Sequence, residues 1–127
     1  MAERSLSGQI AFDITGVSEA EAEGEMQVDA GVVNPFGAIH AGALVWFADV
    51  VAANLVLGGE QIREGKDSFP VAITLNGQML ANRCTGPLTA VARWVQRGHP
   101  VATTRTEVRD QDGTLLLELT STHTSTI

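Results

Sequence analysis

One long apolar segment limits what this chain can fold into. It covers residues 38–57 and contains an ionisable residue, Asp49, near its middle. An Asp near the centre of a membrane-spanning helix costs roughly 3 kcal/mol or more, and Lys and Arg do not flank the segment. The sequence therefore predicts a helix of a soluble protein over Ala41–Leu57, buried on nearly every side and ended by Gly58.

Alternating apolar residues after the helix predict β-strands. The predicted strands are Val71–Leu80, Leu88–Gln96, Val101–Arg109 and Leu115–Thr126. The turns between them are Arg83–Pro87, Arg97–Pro100 and Asp110–Gly113. The last turn contains the hairpin dipeptide Asp-Gly, and three such turns in succession predict a long antiparallel meander.

The residues before the helix predict an earlier strand pair. Apolar residues lie two apart at Ile10, Phe12 and Ile14, and again at Met26, Val28 and Ala30. The acidic run 19–25 is interpreted as a solvated strand edge or loop, and residues 34–40 and 60–69 as loops. These elements predict one α+β domain over residues 1–127, in which a curved antiparallel sheet wraps one buried helix.

Charge and cysteine content argue against several classes of partner. The formal net charge is −7, which disfavours nucleic acid and anionic membranes, because both attract basic surfaces. Cys84 is the only cysteine, so no intrachain disulfide can form, and this fits the reducing cytoplasm. The first residues contain no apolar signal-peptide core. Metal-ligand spacings and a phosphate-binding glycine loop are absent from the sequence, so we expect no metal or cofactor.

A motif at the start of the helix is the most specific feature of the sequence. Residues 34–42 read Asn-Pro-Phe-Gly-Ala-Ile-His-Ala-Gly, and Asp49 follows within the helix. This pattern resembles the Asn-x-x-Gly-x-x-His-Gly-Gly motif and helical Asp of the hotdog-fold acyl-CoA thioesterases, and it is most similar to the phenylacetate-pathway (PaaI-like) group. Arg97-Gly98 and the Asp-Gln-Asp-Gly of residues 110–113 are similar to the closing hairpins of that family.

The resemblance implies a hotdog fold, hydrolysis of acyl-coenzyme A, no metal, and dimers that usually pair into tetramers. It assigns Asp49 as nucleophile or general base and the backbone N–H of Ala41 as the group that polarises the thioester carbonyl. Gly42 opens the helix beside it. Asn34 would hold the attacking water or orient the carbonyl, and His40 would support the loop or contact the thioester.

The residue types also fit this chemistry on their own. A backbone N–H at a helix N-terminus can meet the negative charge that develops on a thioester oxygen. A carboxylate buried mid-helix has a raised pKa, which makes it a better base or nucleophile. The alternatives are small residues at 41 and 42 for close packing and a structural Asp49. This chain also differs from the family in having Ala41 for Gly, and no Ser or Thr in residues 50–53.

The helical spacing predicts a site shared by two chains. Ala41 and Asp49 are eight residues apart, which is roughly 12 Å along a helix axis. Both can act on one thioester only if they come from different chains. A twofold dimer with antiparallel helices would bring them together, so we expect a homo-oligomer, either a dimer or a dimer of dimers.

Two other functions are alternatives to hydrolysis. A hotdog hydratase or dehydratase would place a His a few residues after the Asp, where Asn54 and Leu55 stand instead. A non-catalytic acyl-CoA-binding module is the other alternative.

His99 and His123 are interpreted as structural or surface residues. The candidates for binding the coenzyme A phosphates are Arg63, Lys66, Arg83, Arg93, Arg97, Arg105 and Arg109.

Overall fold

The computed structural model describes residues 7–58 and 70–124 of the chain. Its elements are β1 (Phe12–Val17), β2 (Glu21–Met26), α1 (Ala41–Leu57), β3 (Val71–Met79), β4 (Leu88–Gln96), β5 (Val101–Arg109) and β6 (Leu115–Thr124). The helix and the four later strands are confirmed close to their predicted bounds. The loop predicted at 60–69 and the predicted last two residues of the final strand lie outside the described residues.

The strands form one six-stranded antiparallel sheet in the order β1-β2-β4-β5-β6-β3. The predicted meander is correct for β4, β5 and β6 but wrong for β3, which pairs with β6 instead of β4. The connection from β3 to β4 covers residues 80–87. An extended segment of that length reaches about 26 Å, whereas crossing three strand spacings requires about 15 Å. The turn signal at Arg83–Pro87 therefore marks a crossing of the sheet end and no hairpin.

The early strand pair exists, but its second strand is shifted from the prediction. The acidic run itself forms β2, in which outward Glu residues alternate with the buried Ala22, Gly24 and Met26. β2 lies between β1 and β4, so it is not an edge strand. Gly24 allows the helix to pack closely, since a Cβ there would lie 2.8 Å from Cγ2 of Val51.

The helix is buried on one side only within this chain. The buried side chains are Ala43, Leu44, Phe47, Ala48, Val51, Ala52 and Leu55. On the opposite side Gly42 and Trp46 are exposed, and Asp49, Val50 and Ala53 are partly exposed. The prediction of burial on nearly every side is thus wrong for the single chain, because the one sheet covers only one face. Within the described ranges, no helix is long and apolar enough to cross a membrane.

A single carboxylate organises the turn between β5 and β6. The side chain of Asp110 accepts hydrogen bonds from the backbone N–H groups of Thr85 at 3.1 Å, Asp112 at 2.9 Å and Thr114 at 2.9 Å. Burial alone would raise the pKa of Asp110, but these hydrogen bonds favour the charged form and hold the pKa below its ordinary value. Gly113 completes the predicted hairpin turn with a φ of 82°.

Candidate active site

Asn34 shapes the loop that leads into the helix. Its Oδ1 accepts hydrogen bonds from the backbone N–H groups of Phe36 at 2.8 Å and Ala38 at 3.0 Å. Its own backbone N–H donates to the carbonyl of Ala38 at 2.8 Å. Gly37 turns the chain with a φ of 81°. The side-chain oxygen of Asn34 is thus engaged in the loop, which leaves its amide nitrogen for other contacts.

The start of the helix carries unpaired backbone donors, as the motif predicts. His40 is the N-cap residue in an extended conformation (φ −62°, ψ 130°), and its side chain makes no capping hydrogen bond. Its backbone N–H donates to the carbonyl of Val32 at 2.9 Å, which fixes the entry into the helix. The next two N–H groups, of Ala41 and Gly42, donate to no acceptor in the described part of the chain. Both residues are exposed, so these donors are open to a ligand.

A shallow cavity of about 430 Å³ lies at this end of the helix. Its lining residues are Ser7, Gly8, Ile10, Gly31, His40, Gly42 and Ala43. The cavity is therefore built from the helix start, the segment before β1 and Gly31. It places His40 and the opening turn of the helix at one surface concavity.

Asp49 lines a second cavity, of about 250 Å³, farther along the helix. The other lining residues are Val50, Ala53, Asn54, Leu57, Pro70, Val71 and Ala72. Burial raises the pKa of the Asp49 carboxyl group, and attraction to His123 partly opposes that shift. This is the perturbed carboxylate that the sequence predicts, in a mainly apolar setting between the helix and β3.

Within one chain, the two groups of predicted site residues are not brought together. Asp49 lines one cavity, while His40 and Gly42 line the other, and the two linings have no residue in common. Asn34 lies in the loop before His40, and Ala41 lies between His40 and Gly42 at the start of the helix. A single chain therefore presents two separate halves of the predicted site.

His123 is a residue that the sequence reasoning missed. It is 0% exposed, on the face of β6 that packs against the helix, so of its two interpretations, structural or surface, the surface one is wrong. Burial lowers the pKa of its imidazole, and the Asp49 carboxylate partly opposes that shift. The available signal was the strand alternation, because His123 lies in phase with the buried Leu117 and Leu119.

Ion pairs remove several candidates for binding the coenzyme A phosphates. Arg93 pairs with Glu21 at 3.1 Å, Arg105 with Glu118 at 3.5 Å and Arg109 with Glu107 at 3.0 Å. Their positive charges are thus largely matched by neighbouring carboxylates. Arg63 and Lys66 lie outside the described residues.

Arg83 and Arg97 are the candidates without a carboxylate partner in the described part of the chain. The guanidinium of Arg97 lies over the Trp94 ring, 5.2 Å from its centroid. Arg83 Nη2 donates to the carbonyl of Phe36 at 3.2 Å, which places its charge against the loop of residues 34–40, the motif loop. Among residues 7–58 and 70–124, no three His, Cys, Asp or Glu side chains group as a possible metal site.

Comparison with known proteins identifies the fold. No family profile and no curated protein sequence matches the chain significantly. A thioesterase from Haemophilus influenzae superposes with a TM-score of 0.77 and 21% identity, covering 89% of this chain and 76% of that one. The PaaI protein of the Escherichia coli phenylacetic acid degradation operon gives 0.78 and 22%, covering 90% and 78%. A hypothetical thioesterase with coenzyme A from Streptococcus pneumoniae gives 0.78 and 18%, covering 91% and 86%.

The chain therefore has the hotdog fold, with one helix packed on a curved six-stranded antiparallel sheet. The fold predicted from the motif is confirmed by these superpositions. At identities of 18–22%, the structural similarity establishes the fold. The activity has to be argued from the residues of the site.

Proposed function

We propose that this protein hydrolyses acyl-CoA thioesters to the free acid and coenzyme A. The observation that carries the proposal is Asp49, a carboxylate with a raised pKa in an apolar cavity at the open face of the helix. A second support is the pair of open N–H donors at Ala41 and Gly42. The Haemophilus influenzae thioesterase and the hypothetical thioesterase from Streptococcus pneumoniae among the structural neighbours are consistent with this chemistry.

The proposed reaction uses Asp49 and the helix start in complementary roles. Asp49 removes a proton from water as the water attacks the thioester carbonyl carbon, or its carboxylate attacks directly and the resulting anhydride is then hydrolysed. The backbone N–H of Ala41 stabilises the negative oxygen of the tetrahedral intermediate. The intermediate collapses by breaking the C–S bond, and the sulfur leaves as the coenzyme A thiolate, which takes up a proton.

The remaining motif residues are assigned supporting roles. Asn34 holds the loop through its side-chain oxygen, and its amide N–H₂ is then the group that faces water or the carbonyl. His40 lies in the cavity at the helix start, where its ring contacts the thioester portion of the substrate. Neither role requires a change in the loop conformation described above.

A second copy of the chain would complete the site. β3 is a sheet edge, it carries no charged residue, and it exposes Val71 (44%), Ile73 (56%), Leu75 (47%) and Met79 (45%). An uncharged apolar edge of this length invites pairing with another strand. The Asp49 cavity is lined by Val71 and Ala72 of this strand. A copy that pairs along β3 therefore reaches the mouth of that cavity, and a twofold arrangement brings its helix start there.

A charge placed on β3 is expected to separate the subunits and abolish activity together. Leu75 pairs with the buried Ser121, so its side chain lies on the helix side of the sheet while remaining half exposed. Leu75→Lys would bury a charge in the proposed interface. We expect sedimentation to show a folded monomer with no thiol release. Gln27→Lys, at an exposed position after β2, is the matched control and should leave an active oligomer. An active Leu75→Lys monomer would contradict the shared site.

Coenzyme A is the proposed carrier because the thioester reaction fits the site. The neighbour from Streptococcus pneumoniae contains coenzyme A, and a Streptococcus mutans neighbour is bound to acetyl CoA. In this chain Arg83 is the basic residue that lies against the motif loop without a carboxylate partner in the described region. We assign it to the phosphates of the carrier, since guanidinium groups bind phosphate through several donors.

Arg83→Gln is expected to raise KM by roughly tenfold, because a charge-assisted hydrogen bond contributes about 1.5 kcal/mol. The kcat value should change little, since a phosphate contact acts equally on bound substrate and transition state. Arg93→Gln is the control, because Arg93 already pairs with Glu21. Thiol-release kinetics at low salt measure both. An unchanged KM in Arg83→Gln would remove this residue from the substrate site.

The direct test of the proposed function is thiol release from a panel of short, long and aryl acyl-CoA esters. Hydrolysis of at least one ester with saturable kinetics is the expected result. Binding of acyl-CoA without turnover would identify the non-catalytic alternative. The same panel identifies the acyl group, which is set by side chains from several strands and from the second copy.

A further inference from the structure

The core beneath one end of the helix is polar. The buried positions of β6 change from Leu117 and Leu119 to Ser121 and His123 along the strand, and β5 places Thr104 opposite Ser121. These three polar side chains are 0% exposed. Burying polar groups is costly unless they are hydrogen-bonded, so a continuous polar group here needs an explanation.

The three side chains form one hydrogen-bonded chain. Thr104 Oγ1 lies 3.0 Å from Ser121 Oγ, which lies 2.9 Å from Nε2 of His123. The ring is therefore held through one nitrogen. Its other nitrogen, Nδ1, is buried and has no hydrogen-bond partner among the described residues. A ring fixed on one side and unsatisfied on the other is arranged for a further interaction.

The position of His123 in the sheet places it beside the Asp49 cavity. In the sheet, His123 lies between Ala72 of β3 and Ala102 of β5. Ala72 is also part of the lining of the Asp49 cavity, so the ring lies next to the wall of that cavity. Both pairing partners of His123 are alanines, so no bulky side chain stands directly beside the ring on the adjacent strands.

Among the described residues, Asp49 is the one charged group that faces His123 from the helix and strands packed around it. β3 contains no titratable residue, and Asp49 is the titratable residue within α1. On β5 and β6 the charged residues are Arg105, Glu107, Arg109 and Glu118, which alternate with the buried positions and lie on the outer face. In the described part of the chain, the ionisable counterpart of the ring is therefore Asp49.

We propose that His123, held by Ser121 and Thr104, is a positioning residue that sets the ionisation of the Asp49 carboxylate from beneath its cavity. The proposal rests on the catalytic role of Asp49 given above. A positive charge on the imidazole attracts the carboxylate and so favours the ionised form of Asp49. Each group thereby opposes the effect of burial on the other.

Removing the ring is expected to move the acid limb of the pH profile. His123→Gln keeps a hydrogen-bonding group for Ser121 but deletes the titrating partner. Without it the Asp49 carboxylate takes up its proton at higher pH, so the acid limb of kcat/KM shifts to higher pH while the plateau is retained. Activity on that limb falls by about tenfold for each pH unit of displacement. Thr106→Val is the control, since Thr106 is equally buried and Oγ1 has no hydrogen-bond partner in the described chain.

The decisive experiment does not require turnover. The chain has three histidines, whose ring signals can be followed by NMR after selective isotope labelling and assigned with His123→Gln. In Asp49→Asn the titration of His123 should move to lower pH, because the attractive carboxylate is lost. An unmoved His123 overturns the proposal even if thioesters are hydrolysed. A moved His123 supports it, and failure of every acyl-CoA ester would then overturn only the proposed reaction.

Discussion

Replacing Asp49 with Asn is expected to lower kcat by roughly 100-fold or more, the usual contribution of a positioned base or nucleophile. The amide keeps the shape of the carboxyl group but removes its charge and basicity. KM should change little, because the carboxylate acts in the transition state and contributes little to ground-state binding. Thiol-release kinetics with the best ester of the panel give both constants.

Stability should respond in the opposite direction. The folded-state pKa of Asp49 is raised above its ordinary value, so the folded protein binds the proton more tightly than the unfolded chain does. The ionised carboxylate therefore destabilises the fold at pH values above the folded-state pKa of Asp49. Asp49→Asn should be at least as stable as the wild type at neutral pH, and the difference should disappear as the pH falls toward 3.8, the ordinary value.

A structural Asp49 predicts the reverse pattern, with lost stability and retained activity in the folded fraction. Thermal melts on the kinetic samples distinguish the two. Asp112→Asn makes the same chemical change at an exposed turn position and should alter neither kcat nor the melting temperature appreciably.

Deleting one backbone N–H should be equally damaging. Ala41 is the first residue of the helix, a position where proline is well tolerated because its N–H has no helical partner. The preceding residue, His40, already has the extended conformation that proline favours before it. Ala41→Pro therefore removes the proposed oxyanion donor without breaking the helix. Loss of such a donor lowers kcat by about 10²–10³-fold.

Ala41→Gly is the matched control, since glycine keeps the N–H and removes only the methyl group. It should retain kcat near the wild-type value, with circular dichroism confirming the helix in both variants. If Ala41→Pro is as active as Ala41→Gly, the N–H of residue 41 has no role in catalysis.

The sequence predicted the helix and most of the strands because each depends on residues that are close together along the chain. The apolar run and the Gly58 stop define α1, and the apolar alternation defines the strands after it. The neighbour of β3 was not predictable in this way, because the crossing segment 80–87 looks like any hairpin connection. The open side of the helix was missed because an all-apolar sequence does not show which side of the helix the sheet covers.

Residue type and position agree at Asp49 and at the helix start, where the sequence predicted a buried carboxylate with a raised pKa and open backbone donors. His123 was missed because strand alternation shows that a residue faces inward but does not show which helical residue lies above it. The ion pairing of the arginines could not be read from the sequence either. Arg93 reaches Glu21 only because β2 and β4 pair in register, a long-range fact that composition does not contain.

Mixing the Asp49→Asn and Ala41→Pro proteins tests the shared two-chain site most directly. Each parent should be nearly inactive. In a mixed dimer, Asp49 of one subunit and the Ala41 N–H of the other restore one whole site of the two. Random exchange makes half of the dimers mixed, so about a quarter of the wild-type activity should return. No recovery, with subunit exchange demonstrated by native mass spectrometry, would show that each site lies within one chain and contradict the account.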